Sequence, residues 1–375
     1  MRRRRKPRLT IQDVAKAAGV SVSTVSRVLN DKTDVSLETY ERVKEVIDSL
    51  GYTSSLAARG MRSLRTNVIG LIMPDVASPY CQEVMRGVNR AISQSDNDLI
   101  IYTTGDINKY GTAEEERRYV TLLNGNIVDG VIVVTPAATD FSTGAPIVAI
   151  DPNNESPECL GVIADNREGA LTAMNYLTGL GHRRIGFITG RLDLVSACQR
   201  LQGYKDGLAT AGIPFQDELV QISDYTTEVA IRCTRTLLAL ENPPTAIFAS
   251  NDMSAVGVYQ AAKEERIQIP EDLSVIGFDN LPESTYLNPA LTTIDQFVAE
   301  MGNLAIKMVE MLVKGEALPA NFPGALDFAQ DCNLFKIPTQ IVIRDSCSSI
   351  SGNAEKEAAY YRERNIISNH NPGPS

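Results

Sequence analysis

From residue 68 onward, short apolar runs alternate with segments whose apolar residues have helical spacing. The first series begins with the apolar run Val68–Met73 and ends with Ile147–Ile150. A second series begins with a helical segment at 167–180 and the apolar run Ile185–Thr189. Parallel strands have to be joined by crossover connections, usually helices, so this alternation predicts a parallel α/β architecture. Because the pattern begins a second time, we expect two similar doubly wound lobes.

Apolar periodicity and turn residues also indicate the other elements of these lobes. The remaining predicted strands are 99–102, 131–134, 219–222, Ala246–Ala249, 274–278 and 340–343. The predicted helices are 80–95, 112–124, 167–180, 195–211, 228–240, 255–265 and 297–314. The last helix and the last strand must each join one of the two lobes.

Before residue 53 the pattern is that of three short helices. Thr10 and Ser21 stand where helix caps belong, in front of helices predicted at Ile11–Ala18 and 22–28. A third helix, Leu37–Leu50, follows. Three short helices with a tight turn between the first two are typical of an all-α helix-turn-helix head.

These patterns divide the chain into four parts, since 375 residues exceed what one hydrophobic core organises. They are a head at 1–53, a hinge helix or linker at 54–66, a two-lobed core at 67–346 and a polar, disordered tail at 347–375. We assign about 67–164 and 295–325 to the first lobe, and about 165–294 and 326–346 to the second.

Charge is distributed very unevenly along the chain. Residues 1–66 hold 14 Lys and Arg against 7 Asp and Glu, whereas the rest of the chain holds 22 against 39. A basic head on an acidic body suits a protein that contacts nucleic acid phosphates at one end. For the run Arg2–Lys6 alone, a solvated basic tail is an equal alternative.

The second predicted helix has side chains suited to the DNA major groove. Ser21, Ser23, Thr24 and Ser26 are small and polar, which allows close approach, and Arg27 can donate two hydrogen bonds to a guanine edge. The alternative is a helical hairpin with an exposed, serine-rich helix that binds nothing.

Several longer phrases point to one family. They are TIQDVAKAAGVSVSTVSRVLN (10–30), VSLETYERVKEVIDSLGY (35–52), IGLIMPDVASPY (69–80), GHRRIGFITG (181–190), RLQGYKDGL (200–208), SNDMSAVG (250–257), SVIGFDN (274–280), LTTIDQ (291–296) and VIRDS (342–346). With them the sequence resembles the lactose/galactose repressor family of transcription regulators from residue 10 to about 346.

The resemblance implies a homodimer or larger assembly whose paired heads read a near-palindromic operator. Double-stranded operator DNA and a small-molecule effector are the implied partners. By position, Val22, Ser23 and Arg27 are the implied base readers, while Ser21, Thr24 and Asn30 would hold phosphates. No heptad repeat is evident near the C-terminus, so a dimer is expected.

In this family a hinge helix follows the head and wedges an apolar residue into the minor groove. The matching stretch here is SSLAARGMRS at 54–63, in which Ala57 and Met61 are the expected DNA contacts. It departs from the family pattern, because Ser54 and Ser55 replace the common Pro and Asn, and Met61 replaces the usual Leu.

The core is similar to periplasmic sugar-binding proteins, which implies an effector between the lobes, most readily a sugar or sugar phosphate. The implied effector contacts are Tyr80, Asp151, Ser196, Arg200, Tyr225, Asn251, Asp279 and Gln296. We expect Arg200 and Asp279 to face each other across the cleft. Asp151 and Asp279 could instead cap loops, and Asp165 is expected to cap the next helix. Leu194 stands where purine-sensing relatives have Arg, which disfavours a nucleobase.

Motifs that would indicate other functional classes are absent from the sequence. The sequence contains no GxGxxG, GxxxxGK[ST], GxSxG or HExxH, so no catalytic residue, cofactor or metal site is expected. The six cysteines have no ligand spacing and are interpreted as core thiols, and His182 is expected to have no catalytic role. No secretion signal or membrane span is evident, which favours the cytoplasm over an exported sugar-binding protein.

Overall fold

The computed structural model describes residues 9–29, 32, 34–52, 65–105, 112–123, 127–155, 157–319, 322, 328–329 and 333–350. The basic N-terminal run, the expected hinge helix and nearly all of the expected tail lie outside the described residues. So do three of the expected DNA contacts, Asn30, Ala57 and Met61.

Three helices form the head, as predicted. They are α1 (Ile11–Ala18), α2 (Val22–Leu29) and α3 (Leu37–Leu50). Thr10 and Asp13 cap α1 reciprocally, and Gly19 ends it with a φ of 67°, a conformation that glycine adopts without steric cost. Val14, Val25 and Val43, one from each helix, are fully buried in one small core.

The first lobe starts with strands and helices in strict alternation. Its elements are β1 (Val68–Met73), α4 (Pro79–Ile92), β2 (Asp98–Thr103), α5 (Thr112–Leu123), β3 (Gly130–Val134), β4 (Ile147–Ile150) and β5 (Leu160–Ala164). These strands pair in parallel, with Ile69 of β1 opposite Gly130 of β3. β5 was not predicted from the sequence, because a short apolar run interrupted by Gly161 has little periodicity.

The second lobe repeats the arrangement. Its elements are α6 (Asn166–Gly179), β6 (Ile185–Thr189), α7 (Val195–Thr210), β7 (Val220–Ile222), α8 (Thr227–Leu238), β8 (Ala246–Ala249), α9 (Asp252–Glu264), β9 (Ser274–Asp279), α10 (Glu283–Tyr286) and β10 (Thr292–Asp295). The predicted α/β series is confirmed, although β10 was not predicted and α9 begins three residues before its expected start at 255.

The last four elements are shared between the lobes. They are α11 (Val298–Lys314), β11 (Phe328–Ala329), β12 (Leu334–Ile337) and β13 (Gln340–Val342). The first sheet has the order β11-β12-β5-β4-β3-β1-β2, and the second has the order β13-β10-β9-β8-β6-β7. Only the β11/β12 and β10/β13 pairs, among the described strands, are antiparallel.

The chain therefore passes between the lobes three times, at Asp165, at residues 296–297 and at residues 338–339. This corrects the expected lobe boundary, which placed 326–346 in the second lobe. Leu334 and Ile337 of β12 pair with Gly161 and Ala164 of β5 in the first sheet, and only β13 joins the second. The error arose because β12 was not recognised as a strand, so the third passage was expected too early, at about residue 326.

Helices cover both faces of each sheet, which accounts for the near-continuous apolar strands. In the first lobe, α4 and α11 pack on one face and α5 on the other. In the second, α6 and α7 cover one face, and α8 and α9 the other. Within the described ranges, no helix is long and apolar enough to cross a membrane.

Two glycines allow α11 to lie against the first lobe after the second passage. A Cβ on Gly87 of α4 would lie 1.6 Å from the carbonyl oxygen of Ala299, and one on Gly302 of α11 would lie 2.3 Å from that of Val84. The backbones of the two helices are therefore in direct contact, and neither position has room for a side chain.

We expect Gly87→Ala to lower the free energy of unfolding by about 3 kcal/mol, because the added methyl group must push two helices apart. Asn89→Ala, on the exposed face of the same helix, is the matched control and should change it by less than about 0.5 kcal/mol. Denaturant unfolding of both variants measures the difference. Equal stability of the two variants would contradict the direct helix contact.

Candidate functional site

The exposed face of α2 carries five of the expected DNA contacts. Ser21, Val22, Ser23 and Arg27 are exposed and Thr24 is half-buried, whereas Val25 and Val28 point into the head core. The Ser21 hydroxyl accepts from the Thr24 backbone N–H at 3.1 Å, which caps the helix. Arg27 forms an exposed ion pair with Asp34 at 3.2 Å. This helix presents a small polar face that core packing does not use.

A cavity of about 600 Å³ lies between the two lobes. The structure brings together around it all eight side chains expected to contact an effector: Tyr80, Asp151, Ser196, Arg200, Tyr225, Asn251, Asp279 and Gln296. The cavity lies at the carboxyl ends of the parallel strands, where open α/β sheets form their binding sites.

Backbone conformation at the strand ends directs several of these residues. Asp151 directly follows β4 with a φ of 50°, and Asp279 ends β9 with a φ of 111°. Tyr225 has a φ of 69°. Positive φ is costly for residues other than glycine and is concentrated at functional sites. All three strained positions line the same cavity.

Arg200 of α7 is the centre of a buried polar cluster. It is 4% exposed, and its guanidinium carbon lies 3.8 Å from the centre of the Phe278 ring. Its nitrogens donate to Asn166 Oδ1 at 2.8 Å, to the Ser250 carbonyl oxygen at 2.5 Å and to Gln296 Oε1 at 3.3 Å. The protein thus holds this cation in one orientation.

Asp279 lies in the same lobe as Arg200, which corrects the expectation that the two face each other across the cleft. Arg200 Nη1 is 3.6 Å from Asp279 Oδ1, and the Gln296 side-chain amide donates to the same oxygen. Arg200 and Asp279 both belong to the second series of strands and helices, so their side chains meet at the same edge of the second sheet. On the first lobe, Tyr80 and Asp151 form the facing wall.

Burial determines how the two carboxyl groups titrate. It raises the pKa of Asp279 to about 7, although the Arg200 charge acts in the opposite direction. Burial also raises the pKa of Asp151, while Arg200 and the Ser196 hydroxyl oppose that rise. The cavity therefore holds two poorly solvated carboxyl groups, Asp279 beside Gln296 and Arg200, and Asp151 beside Ser196.

Tyr80 and Tyr225 each have a buried hydroxyl with no hydrogen-bond partner among the described residues. Burial, followed by the charge of Asp151, raises the pKa of Tyr80 well above its ordinary value. Burial raises the pKa of Tyr225 to about 12. Both hydroxyls therefore stay protonated. An unpaired buried hydroxyl costs free energy, and a bound molecule with polar groups would remove that cost.

Asn251 lines the cavity and also forms hydrogen bonds that hold the nearby backbone in place. Asn251 caps α9 by accepting from Ser254 N at 2.9 Å, and its amide donates to the Tyr225 carbonyl oxygen at 3.3 Å. Asp165, as expected, caps α6 instead of lining the cavity. Asn251 thus couples the position of Tyr225 to the start of α9.

The sequence analysis missed Asn153, which joins the lobes. Its amide donates to the Asp193 carbonyl oxygen at 3.0 Å, and its Oδ1 accepts from the backbone N–H of Val195 at 2.9 Å. Asn153 lies in the first lobe and Val195 begins α7 in the second, so one lobe caps a helix of the other. No sequence pattern signals this, because the two residues are distant along the chain.

Gly190 was also missed. A Cβ there would lie 2.0 Å from the Tyr225 ring, so only glycine leaves space for that ring against the end of β6. The glycine closes the phrase GHRRIGFITG, which is a detectable signal.

No catalytic or metal-binding arrangement is found in the described part of the chain. His182 is buried away from the cavity, where its ring contacts Thr245 Oγ1 at 2.9 Å and Ser274 Oγ at 3.0 Å. Burial lowers its pKa. The ranges that the structure covers contain no cluster of metal-ligating side chains. The described cysteines are unpaired; contrary to expectation, Cys198 is exposed and is not a core thiol.

Family models match both parts of the chain. Residues 10–55 match the bacterial regulatory proteins of the lacI family, and residues 174–347 match a periplasmic binding protein-like domain. The ribose operon repressor of Haemophilus influenzae is 34% identical over 310 residues, which cover 81% of this chain and 92% of that protein. The transcriptional repressor PurR of Vibrio atlanticus is 32% identical over 312 residues, covering 81% and 92%.

Solved structures agree with these relatives. A complex of the transcriptional regulator CelR with cellobiose is 28% identical, with a TM-score of 0.65, and covers 90% of this chain and all of that one. The Lac repressor dimer bound to operator and the anti-inducer ONPF has a TM-score of 0.77 at 24% identity, covering 92% of this chain and all of that one, which establishes a shared fold. With its helix-turn-helix head and effector-binding core, the chain belongs to the lacI family of bacterial regulatory proteins, whose members are transcriptional repressors and not enzymes.

Proposed function

We propose that this protein is a cytoplasmic, homodimeric repressor whose affinity for operator DNA is set by a sugar bound between its core lobes. The observation that carries the proposal is the pair of unpartnered tyrosine hydroxyls, Tyr80 and Tyr225, beside two buried carboxyl groups in one cavity. Sugar hydroxyls both donate and accept hydrogen bonds, so they can satisfy both kinds of group.

The relatives support this choice of effector, although they do not all point the same way. One relative is named a ribose operon repressor, and one solved neighbour holds cellobiose. Another relative is the repressor PurR. A purine is therefore the alternative effector to be tested, and Leu194 at the cavity wall offers it no hydrogen bond.

For the head, we propose that α2 enters the major groove. Val22, Ser23 and Arg27 would contact base edges, while Ser21, Thr24 and Asn30 would contact phosphates. Ala57 and Met61 remain the proposed minor-groove contacts of the hinge. The ion pair of Arg27 with Asp34 does not oppose this role, because an exposed pair of this kind contributes at most about 1 kcal/mol.

Arg27→Ala should weaken binding to the best operator by about 1 to 3 kcal/mol and relax one base preference in each half-site. Arg27→Lys is the matched control: it keeps the charge but loses the two-pronged donor, so the salt dependence should persist while the base preference is lost. Selection of binding sites from random DNA, followed by a salt series, measures both effects. An unchanged base preference in both variants would exclude Arg27 as a base reader.

The proposed effector contacts can be tested with single-oxygen deletions. Tyr80→Phe and Tyr225→Phe should each weaken effector binding on the order of 3- to 10-fold, the value of one neutral hydrogen bond, without loss of thermal stability. Tyr204→Phe is the control, because its hydroxyl donates to the Ile185 carbonyl oxygen at 2.8 Å inside the second lobe. It should lower stability and leave effector affinity unchanged.

Calorimetry with a panel of sugars and purines identifies the effector for this comparison. If Tyr80→Phe and Tyr225→Phe bind it as tightly as the wild type does, the cavity is not its site. If only a purine binds, the sugar proposal fails.

A further inference from the structure

The charged side chains around the cavity are mostly acidic. The lining carboxyl groups belong to Asp75, Asp151, Asp224, Glu228 and Asp279. The lining guanidinium groups belong to Arg191 and Arg200, and no lysine or histidine is added among the described lining residues. A negatively charged ligand would enter a field of its own sign, at a place where burial reduces screening.

Both arginines already have partners in the protein. Arg191 forms an ion pair with Asp193, and three nitrogens of Arg200 already donate to Asn166, Ser250 and Gln296. Phosphate groups are usually held by two-pronged arginine contacts or by several free backbone N–H groups. The contacts of Arg200 stabilise the cavity wall, and an anion would have to compete with them.

The start of α7 is one place at the cavity wall where a phosphate could be held, because helix N-termini attract anions. Here the backbone N–H of Val195 already donates to Asn153 Oδ1 at 2.9 Å. The cap comes from the opposite lobe, so it is present when the lobes are together and an effector is enclosed. Among the described lining side chains, the donors without a partner are therefore neutral hydroxyls such as those of Tyr80 and Tyr225, while the carboxyl groups outnumber the guanidinium groups.

We infer that the effector is an uncharged polyol and that this cavity rejects the phosphate ester of the same sugar. The inference rests on the proposed function and narrows it, since a sugar and a sugar phosphate both fit the general proposal. Hydroxyl groups of a free sugar can donate to Asp151 and Asp279 and accept from Tyr80 and Tyr225. At neutral pH the phosphate group of an ester replaces one such hydroxyl with a group that has only acceptors and a negative charge, which the two carboxylates repel.

The same arrangement determines the sign of the pH dependence. The charged and titratable groups around Asp279 are Arg200 of α7, Asp151 after β4, Asp252 of α9, Asp295 of β10, and Tyr80 and Tyr225. Burial raises the pKa of Asp279 to about 7, so part of this group is protonated at neutral pH. A hydroxyl that donates to the carboxylate stabilises its ionised form, so affinity for a free sugar should rise with pH through about 7.

For a phosphate ester the expected pH dependence of affinity has the opposite sign. Ionisation of Asp279 adds a negative charge next to the ligand, so its affinity should fall as the pH rises from 7 to 8.5. Over that range the ester is already mostly dianionic, because its second pKa is about 6.

The experiment is calorimetry of the full chain with matched pairs of probes: ribose and ribose 5-phosphate, glucose and glucose 6-phosphate, and galactose and galactose 6-phosphate, with cellobiose and hypoxanthine added. We expect at least one free sugar to bind, and its phosphate ester to bind at least about 10-fold more weakly, since an uncompensated buried charge is costly. Affinity for that sugar should increase from pH 5.5 to 8.

Asp151→Asn separates the charge effect from simple steric exclusion. The variant keeps the shape of the side chain and an acceptor oxygen, and asparagine tolerates the positive φ at this position. This substitution should weaken binding of the free sugar and bring the ratio of sugar affinity to ester affinity closer to one. Thermal unfolding checks that the variant remains folded. An unchanged ratio would mean that the ester is excluded by size, which contradicts the inference.

The remaining outcomes distinguish the two proposals. An ester that binds as tightly as its parent sugar, or more tightly, overturns the inference and leaves the sugar effector intact. Binding of hypoxanthine alone, or of no member of the panel, overturns the proposed sugar effector itself.

Discussion

The buried guanidinium group of Arg200 is the constraint on which the architecture of the core depends. A cation that is 4% exposed is tolerated only if its donors are satisfied, and the required oxygens come from α6, from the end of β8 and from the second passage between the lobes. Asp279 completes the cluster from the end of β9. One side chain thus fixes the relative positions of four segments that are far apart in sequence.

The same cluster lies at the passage between the lobes, which connects binding to movement. Gln296 contacts both Arg200 and Asp279 and is followed directly by Phe297, where the chain enters the first lobe with a φ of 55°. Asn153 spans the lobes from the other side of the cavity. A molecule that alters this cluster therefore acts on a segment that connects the lobes, and coupling between two sites would require the lobes to move at such segments.

Most of the architecture could be predicted from the sequence, because apolar periodicity and caps are local signals. The bounds of α3, β1, β4, β6 and β8 were predicted to the residue. β5 and β12 were missed although β4 and β8 are just as short, because Gly161 and Lys336 interrupt their apolar runs and their place depends on pairing between distant segments. Because β12 was missed, the third passage was expected at about residue 326, and residues that belong to the first lobe were assigned to the second.

The composition of the cavity wall could be predicted, but its geometry could not. All eight expected side chains line the cavity. What the sequence could not indicate is that Arg200 and Asp279 share a lobe, that Arg200 is already hydrogen-bonded, or that Asn153 caps a helix of the other lobe. These facts depend on three-dimensional contacts between distant segments, and they carry the inference about ligand charge.

We expect occupation of this cavity and affinity for DNA to be linked. The most direct test of this linkage is a thermodynamic cycle on the full chain: operator affinity with and without the saturating sugar, and sugar affinity with and without saturating operator. Linkage requires the two ratios to be equal, and coupling of this kind typically amounts to about 1 to 3 kcal/mol, or roughly 5- to 150-fold. We expect the two ratios to be equal and to lie in this range. A sugar that binds in the cavity while operator affinity stays constant would contradict this expectation.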